Sequence, residues 1–318
     1  MVRMHEPLAQ CAAAILMVRP AAFGFNQETA GTNLFQSPPA AGPESVRREA
    51  LSEFDTAVES LRRAGVEVLV ADEGTDPVSP DAIFPNNWIS THHDGTVVLY
   101  PMLAPVRRLE RRADIVDRLS TGWGFGVRRV IDLGSNETCG RYLEGTGSIV
   151  FDHTNRTAYA SLSPRSHRGM LYETQALLDY EFVVFRASDA SGAAVYHTNV
   201  VMAIGERFAV VSAEAIGDER ERQEVLGSLG STGREILEIT RAQMASFAGN
   251  VLELRSTRDE PVLAASERAW RAFSEEQRRT LGTLARVVAV PMPTIESVGG
   301  GSMRCMIAEI FLPRPGLR

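Results

Sequence analysis

Val195-Tyr196-His197-Thr198-Asn199-Val200-Val201-Met202-Ala203-Ile204-Gly205-Glu206-Arg207-Phe208-Ala209-Val210-Val211 reads as two short apolar strands folded about Gly205-Glu206, headed by the polar triplet His197-Thr198-Asn199. Glu219 to Leu229 follows with a helical pattern. The outline of apolar strand, turn, second strand and helix then recurs along the chain.

Upstream, Phe84-Pro85-Asn86-Asn87-Trp88-Ile89 leads through Asp94-Gly95 into Thr96-Val97-Val98-Leu99-Tyr100, a hairpin signal. Leu109 to Leu119 is expected to be its amphipathic helix. Leu143-Glu144-Gly145-Thr146-Gly147 opens Ser148-Ile149-Val150-Phe151, residues 152–156 reverse the chain, Thr157 to Leu162 returns, and Ser166 to Leu178 is the helical follower. Met244 to Leu254 with Val262-Leu263-Ala264-Ala265 gives a fourth copy. Ser297 to Leu312 begins a fifth, whose partner is expected to be the N-terminal apolar run Ala12 to Val18, so that the two ends close on each other.

Glycines Gly299-Gly300-Gly301 stand just before Cys305. By itself Cys305 reads as a small buried apolar residue, the commonest fate of a free thiol. Spacing changes that reading. Asn87, Glu144, His197, Asn250 and Cys305 follow one another at intervals of 57, 53, 53 and 55 residues, at matching points of the copies. In a radial arrangement such points converge on a central pocket, and a cysteine with a histidine partner is a candidate for nucleophilic catalysis.

Composition narrows the chemistry. The formal charge of -7, from 40 acidic and 33 basic residues, gives no footprint for nucleic acid or an anionic membrane. Every basic residue is arginine, which excludes a Schiff-base lysine and a phosphate-binding P-loop lysine. Three cysteines without regular spacing make neither a disulfide framework nor a thiolate zinc site, and point to a reducing cytoplasm. The run Ala12 to Val18 is too short to span a bilayer. His92-His93-Asp94 falls at a hairpin turn, where adjacent side chains diverge, and is read as a turn rather than a metal site. No cofactor or metal is expected, and a homo-oligomer stays open.

With these residues in hand, the chain resembles the guanidine-modifying superfamily of arginine deiminases, dimethylarginine dimethylaminohydrolases and amidinotransferases. The marks are Leu143-Glu144-Gly145-Thr146-Gly147, His197-Thr198-Asn199 and Gly299-Gly300-Gly301 before Cys305, in the family's order. Phe23-Gly24-Phe25-Asn26-Gln27-Glu28-Thr29-Ala30 with Asn33-Leu34-Phe35-Gln36, Phe84-Pro85-Asn86-Asn87-Trp88 and Phe247-Ala248-Gly249-Asn250 are similar to the citrulline-utilisation hydrolases. The resemblance implies a five-bladed α/β propeller (pentein) of ββαβ repeats with pseudo-fivefold symmetry, as one catalytic domain over residues 1–318.

It also implies the chemistry. Cys305 would attack the planar carbon of a guanidino or ureido group. His197 would protonate the departing nitrogen and then activate water, with Glu144 orienting the imidazole. Asn87, Asn199 and Asn250 would line the pocket, and Arg165 matches a family arginine that grips the substrate carboxylate. Family deiminases place aspartates where this chain has Asn87 and Asn199. The amides favour a neutral ureido group, which makes citrulline the expected substrate and ornithine, ammonia and carbon dioxide the products. Arginine or an N-substituted arginine, amidino transfer to an amine, and a non-catalytic binding role are the alternatives. The segment from Ala21 to Pro43, long for a connection, is expected to lie over the pocket.

Overall fold

In a computed structural model of the chain, which describes residues 8–72, 74 and 79–315, the opening stretch forms the hairpin that its pattern predicts. Met202–Ile204 pairs antiparallel with Phe208–Val211, which pairs in parallel with a third strand, Glu235–Glu238. A parallel neighbour requires a crossover of a dozen or more residues. Helix Glu219–Gly230 supplies it, capped by the Asp218 carboxylate on the amides of Arg220 and Glu221.

The unit occurs five times. Ile89–Thr91, Thr96–Leu99 and Arg129–Asp132 form one three-stranded sheet; Val150–Asp152, Thr157–Ser161 and Glu181–Phe185 another; Leu252–Arg255, Pro261–Ser266 and Arg286–Val290 a third of the same kind. In the remaining sheet Ala14–Arg19 lies between Ala308–Ile310, antiparallel, and Glu67–Asp72, parallel. Ala14 faces Ile310, so the two ends close on each other as expected. The fold is therefore α/β, built of five small mixed sheets. Residues 1–7, 73, 75–78 and 316–318 of the expected single domain lie outside the described residues.

Burial explains the helices. In Pro43–Arg63 the buried side chains are Val46, Ala50, Phe54, Ala57, Val58 and Leu61, a stripe at helical spacing. Pro43 opens it at a position that needs no amide hydrogen, and Arg62 and Arg63 complement the dipole at its end.

Two details differ from the sequence reading. The stretch from Leu109 to Leu119 is not one helix but a 3-10 segment, Pro105–Glu110, followed by Ala113–Thr121. The break falls at Arg111 and Arg112, which have extended backbones and turn aside to pair with Glu137 and Asp114. The strands also begin later than the apolar runs, because a helical turn precedes the first strand of several sheets: Pro85–Asn87, Gly145–Ser148, Thr198–Val201 and Met303–Met306.

Those turns stack on one another. Gly145 has φ +47, and a Cβ on it would lie 2.3 Å from the Asn86 carbonyl oxygen; a Cβ on Gly249 would lie 2.2 Å from that of Val200. Thr198 Oγ1 donates to the Ser148 carbonyl at 2.6 Å, and Asn250 Nδ2 to that of Asn199 at 2.9 Å. Three successive repeats thus lock their turns against the backbone of the preceding one, which brings the residues at those turns together.

Candidate active site

Cys305 lies in the 3-10 turn Met303–Met306 and is 3% exposed. Its Sγ receives Asn250 Nδ2 at 3.3 Å, with Asn199 Nδ2 at 3.7 Å. The Asn250 amide is oriented independently, since its Nδ2 also donates to the Asn199 carbonyl. Burial pushes the thiol above its ordinary value, opposed by the Ser302 backbone amide, Asn250, Arg304 and Asn199. That amide belongs to the residue that follows Gly299-Gly300-Gly301. Gly300, at φ +64, ends a single π-helical turn over Ile295–Gly299 and supplies the left-handed bend that sends the chain back to Cys305.

Behind the cavity, His197 Nε2 meets Glu144 Oε2 at 2.8 Å, both side chains being buried. Burial would raise the Glu144 carboxyl, but Arg165, the His197 hydrogen bond and charge, and Arg107 together hold it well below the usual carboxylate range. The carboxylate therefore accepts, Nε2 carries the hydrogen, and Nδ1 keeps the lone pair. Burial brings His197 down to about 4 despite Glu144, so the imidazole is neutral near pH 7.

Arg165 is buried. Its Nη2 donates to Thr32 Oγ1 at 2.8 Å and to the Thr29 carbonyl at 3.3 Å, its Nη1 lies 3.3 Å from Glu144, and the guanidinium sits 5.0 Å from the Tyr196 ring centre. Tyr196 in turn donates its hydroxyl to the Gly300 carbonyl at 2.6 Å.

Two charged residues absent from the sequence reading complete the cavity. Arg107 is buried and binds Glu110 with two parallel hydrogen bonds of 2.9 Å, while its Nη1 donates to Asn87 Oδ1 at 3.0 Å. Asp81 lies 3.6 Å from Arg107 and accepts from Asn26 Nδ2 at 2.7 Å; its other oxygen has no hydrogen-bond partner among the described residues. Burial raises the Asp81 carboxyl, against the pull of Arg107. Arg107 stands at none of the matching points of the repeat and just before the helix expected from Leu109, and Asp81 lies between the N-terminal apolar run and the first predicted hairpin, in no predicted element.

One cavity, lined among others by Asp81, Asn87, Arg107, Arg165, His197 and Cys305, gathers these groups. Glu144 stands behind His197, and Asn199 and Asn250 flank the sulfur. Every site residue expected from the sequence is therefore brought to one place. About 10 Å³ is left free, room for roughly one water. The cover is the segment expected there: Asn33 Nδ2 approaches the Gly300 carbonyl at 3.3 Å, Gln36 Nε2 reaches that of Val298 at 3.3 Å, and Phe35 packs on Tyr196 and Phe247. By contrast, His92-His93-Asp94 forms a hairpin turn in which Asp94 accepts from Thr96 and Gly95 takes φ +88.

The family model described as N,N dimethylarginine dimethylhydrolase, eukaryotic, matches residues 19–312. The chain belongs to this family. It is accordingly a hydrolase of carbon-nitrogen bonds other than peptide bonds, in the guanidino-modifying superfamily that its motifs resemble. No curated protein matches it in sequence.

Solved structures share the fold at low identity. The N-terminal domain of ArgZ, covalently bound to a reaction intermediate, has a TM-score of 0.72 at 18% identity, over 94% of this chain and 99% of that one. Apo ArgZ, an arginine dihydrolase from the ornithine-ammonia cycle in cyanobacteria, has 0.73 at 17%, over 95% of this chain but 41% of that longer one. The dimethylarginine dimethylaminohydrolase adduct with S-methyl-L-thiocitrulline has 0.64 at 16%, over 94% and 99%.

Proposed function

We propose that the chain hydrolyses the carbon-nitrogen bond of a ureido amino acid through a covalent intermediate on Cys305, with citrulline the first substrate. The observation that carries this reading is the setting of the sulfur. It lies against the amides of Asn250 and Asn199, no carboxylate among the described residues is hydrogen-bonded to it, and a histidine backed by a carboxylate lines the same cavity. On this reading the five sheets are the blades of a five-bladed α/β propeller, and the site lies at its hub.

Chemistry follows from the protonation states. Cys305 begins as a thiol and passes its proton to the free Nδ1 of His197 as Sγ adds to the ureido carbon. The imidazolium returns that proton to the substrate nitrogen as its bond to carbon breaks, releasing ornithine and leaving a carbamoyl thioester. His197 then takes a proton from water, whose oxygen adds to the thioester carbon. The sulfur departs with the proton, and the carbamate breaks down to ammonia and carbon dioxide. Glu144 keeps Nε2 protonated throughout, so Nδ1 stays the working nitrogen.

At the other end of the substrate, the unpartnered oxygen of Asp81 suits an α-ammonium group. Arg165, which would exchange Thr29 and Thr32 for ligand, suits an α-carboxylate. Entry requires residues 27–36 to move, because the closed cavity holds no amino acid.

A second reading, an arginine-type guanidino substrate, is favoured by one observation. A cation placed against Sγ would lower a thiol that burial has raised, whereas a neutral urea would not. Incubating pure protein with each compound and measuring ornithine separates the two. Release from citrulline supports the first reading; product from arginine with none from citrulline selects the second.

A further inference from the structure

Amide groups in crowded sites are two-faced, and what a neighbour does to one face decides what the other can recognise. At Asn87 that neighbour is Arg107. A guanidinium has five N–H donors and no acceptor, so the Asn87 atom 3.0 Å from Arg107 Nη1 is the oxygen. Arg107 cannot swing away, because Glu110 holds it through Nε and Nη2 in a buried bidentate pair, and Ser79 Oγ donates to Glu110 at 2.7 Å.

The amide nitrogen is consequently forced the other way. Asn87 is 2% exposed, lines the cavity, and its Nδ2 has no hydrogen-bond partner among the described residues. It lies beside the catalytic histidine: a Cβ built on Gly147 would stand 2.4 Å from Nδ2 and 2.8 Å from His197 Nδ1. A buried donor left without an acceptor costs about 1–3 kcal/mol in general, so the site is completed by a ligand that offers an oxygen or a lone pair at that point.

We propose that Glu110 and Arg107 act together as positioning residues, locking the Asn87 amide donor-inward, so that the pocket selects a ureido carbonyl oxygen over the all-donor edge of a guanidinium. The selectivity thus originates one layer behind the cavity wall. Asparagine without this clamp could rotate its amide and accept from a guanidinium as readily as it donates to a urea. The inference rests on the cysteine-hydrolase reading for the identity of the reacting group, and it adds what sets the choice between the two substrate classes.

The test compares citrulline with arginine, by kcat/KM in the active protein and by calorimetric binding in a Cys305→Ala background. The unmodified clamp predicts preference for citrulline in both. Asn87→Asp puts an acceptor in place of the donor and is expected to lower the citrulline-to-arginine ratio about 100-fold. Glu110→Gln, which sets an NH2 against one Arg107 donor, is expected to lower the ratio about 10-fold, with the KM for citrulline carrying more of the change than kcat. A merely structural role would weaken both compounds equally.

An unchanged ratio in both folded variants overturns the clamp while leaving the hydrolase standing. Should Cys305 form no adduct with either compound, the hydrolase reading fails. The clamp is then judged by the binding ratio alone, and binding of neither compound overturns it as well.

Discussion

Gly147→Ala is predicted to disable the site while leaving the fold in place. Gly147 belongs to the turn Gly145–Ser148 and is not among the glycines with positive φ, so alanine meets no backbone strain and is the better helix former. The obstacle is steric. The new methyl would lie 2.4 Å from Asn87 Nδ2 and 2.8 Å from both Cε1 and Nδ1 of His197. Ordinary contacts are about 3.5–4.0 Å, so the two side chains must retreat by about 1 Å.

Neither can do so freely. Asn87 is tied to Arg107, and His197 to Glu144. Overpacking of this kind costs about 1–3 kcal/mol of stability, and a 1 Å misplacement of a reacting group costs about 100-fold in rate. The assay is ornithine release at saturating citrulline, beside a thermal melt and a Gly217→Ala control, whose new methyl meets nothing within 4 Å. A folded Gly147→Ala protein with activity within threefold of wild type would refute the placement of Asn87 and His197 around this turn.

Two further outcomes are expected. Glu144→Gln should lower turnover by on the order of 10⁴-fold, the scale seen when an imidazole's orienting carboxylate becomes an amide. It should also destabilise the fold by about 3–5 kcal/mol, because Arg165 and Arg107 lose a buried counter-charge; a Gln variant with wild-type turnover would remove Glu144 from the mechanism. Alkylation of Cys305 in the free protein, followed on its own peptide by mass spectrometry, should keep accelerating as pH rises beyond about 8.5, the ordinary thiol value, since burial holds the thiol above it. A rate that levels off near pH 7 would mean a preformed thiolate.

Much of the site was legible in the sequence because the repeat carries it. Asn87, Glu144, His197, Asn250 and Cys305 recur at nearly even intervals, and each lies at or beside the turn that precedes the first strand of its sheet. Helices such as Glu219–Gly230 and Arg168–Leu178 follow from local patterning, the third, parallel strand of each unit is implied only by the ββαβ repeat of the resemblance, and the closure of Ala14–Arg19 on Ala308–Ile310 follows from an unpaired first and last copy. Arg107 and Asp81 were not legible for a physical reason. Their roles depend on ion pairs formed across the fold, and an arginine whose partners are Glu110 and Asn87 has the same local signature as one facing water. The orientation of the Asn87 amide is likewise a property of its neighbour and not of its own position in the chain.

The central claim is that Cys305 forms the covalent bond. Protein mixed with citrulline and quenched early should carry an added carbamoyl mass on the peptide containing Cys305, absent from Cys305→Ser. An amidino adduct appearing only with arginine would transfer the same nucleophile to the guanidino reading. Turnover of either compound that survives intact in Cys305→Ser, with no adduct on the wild-type peptide, would contradict the account.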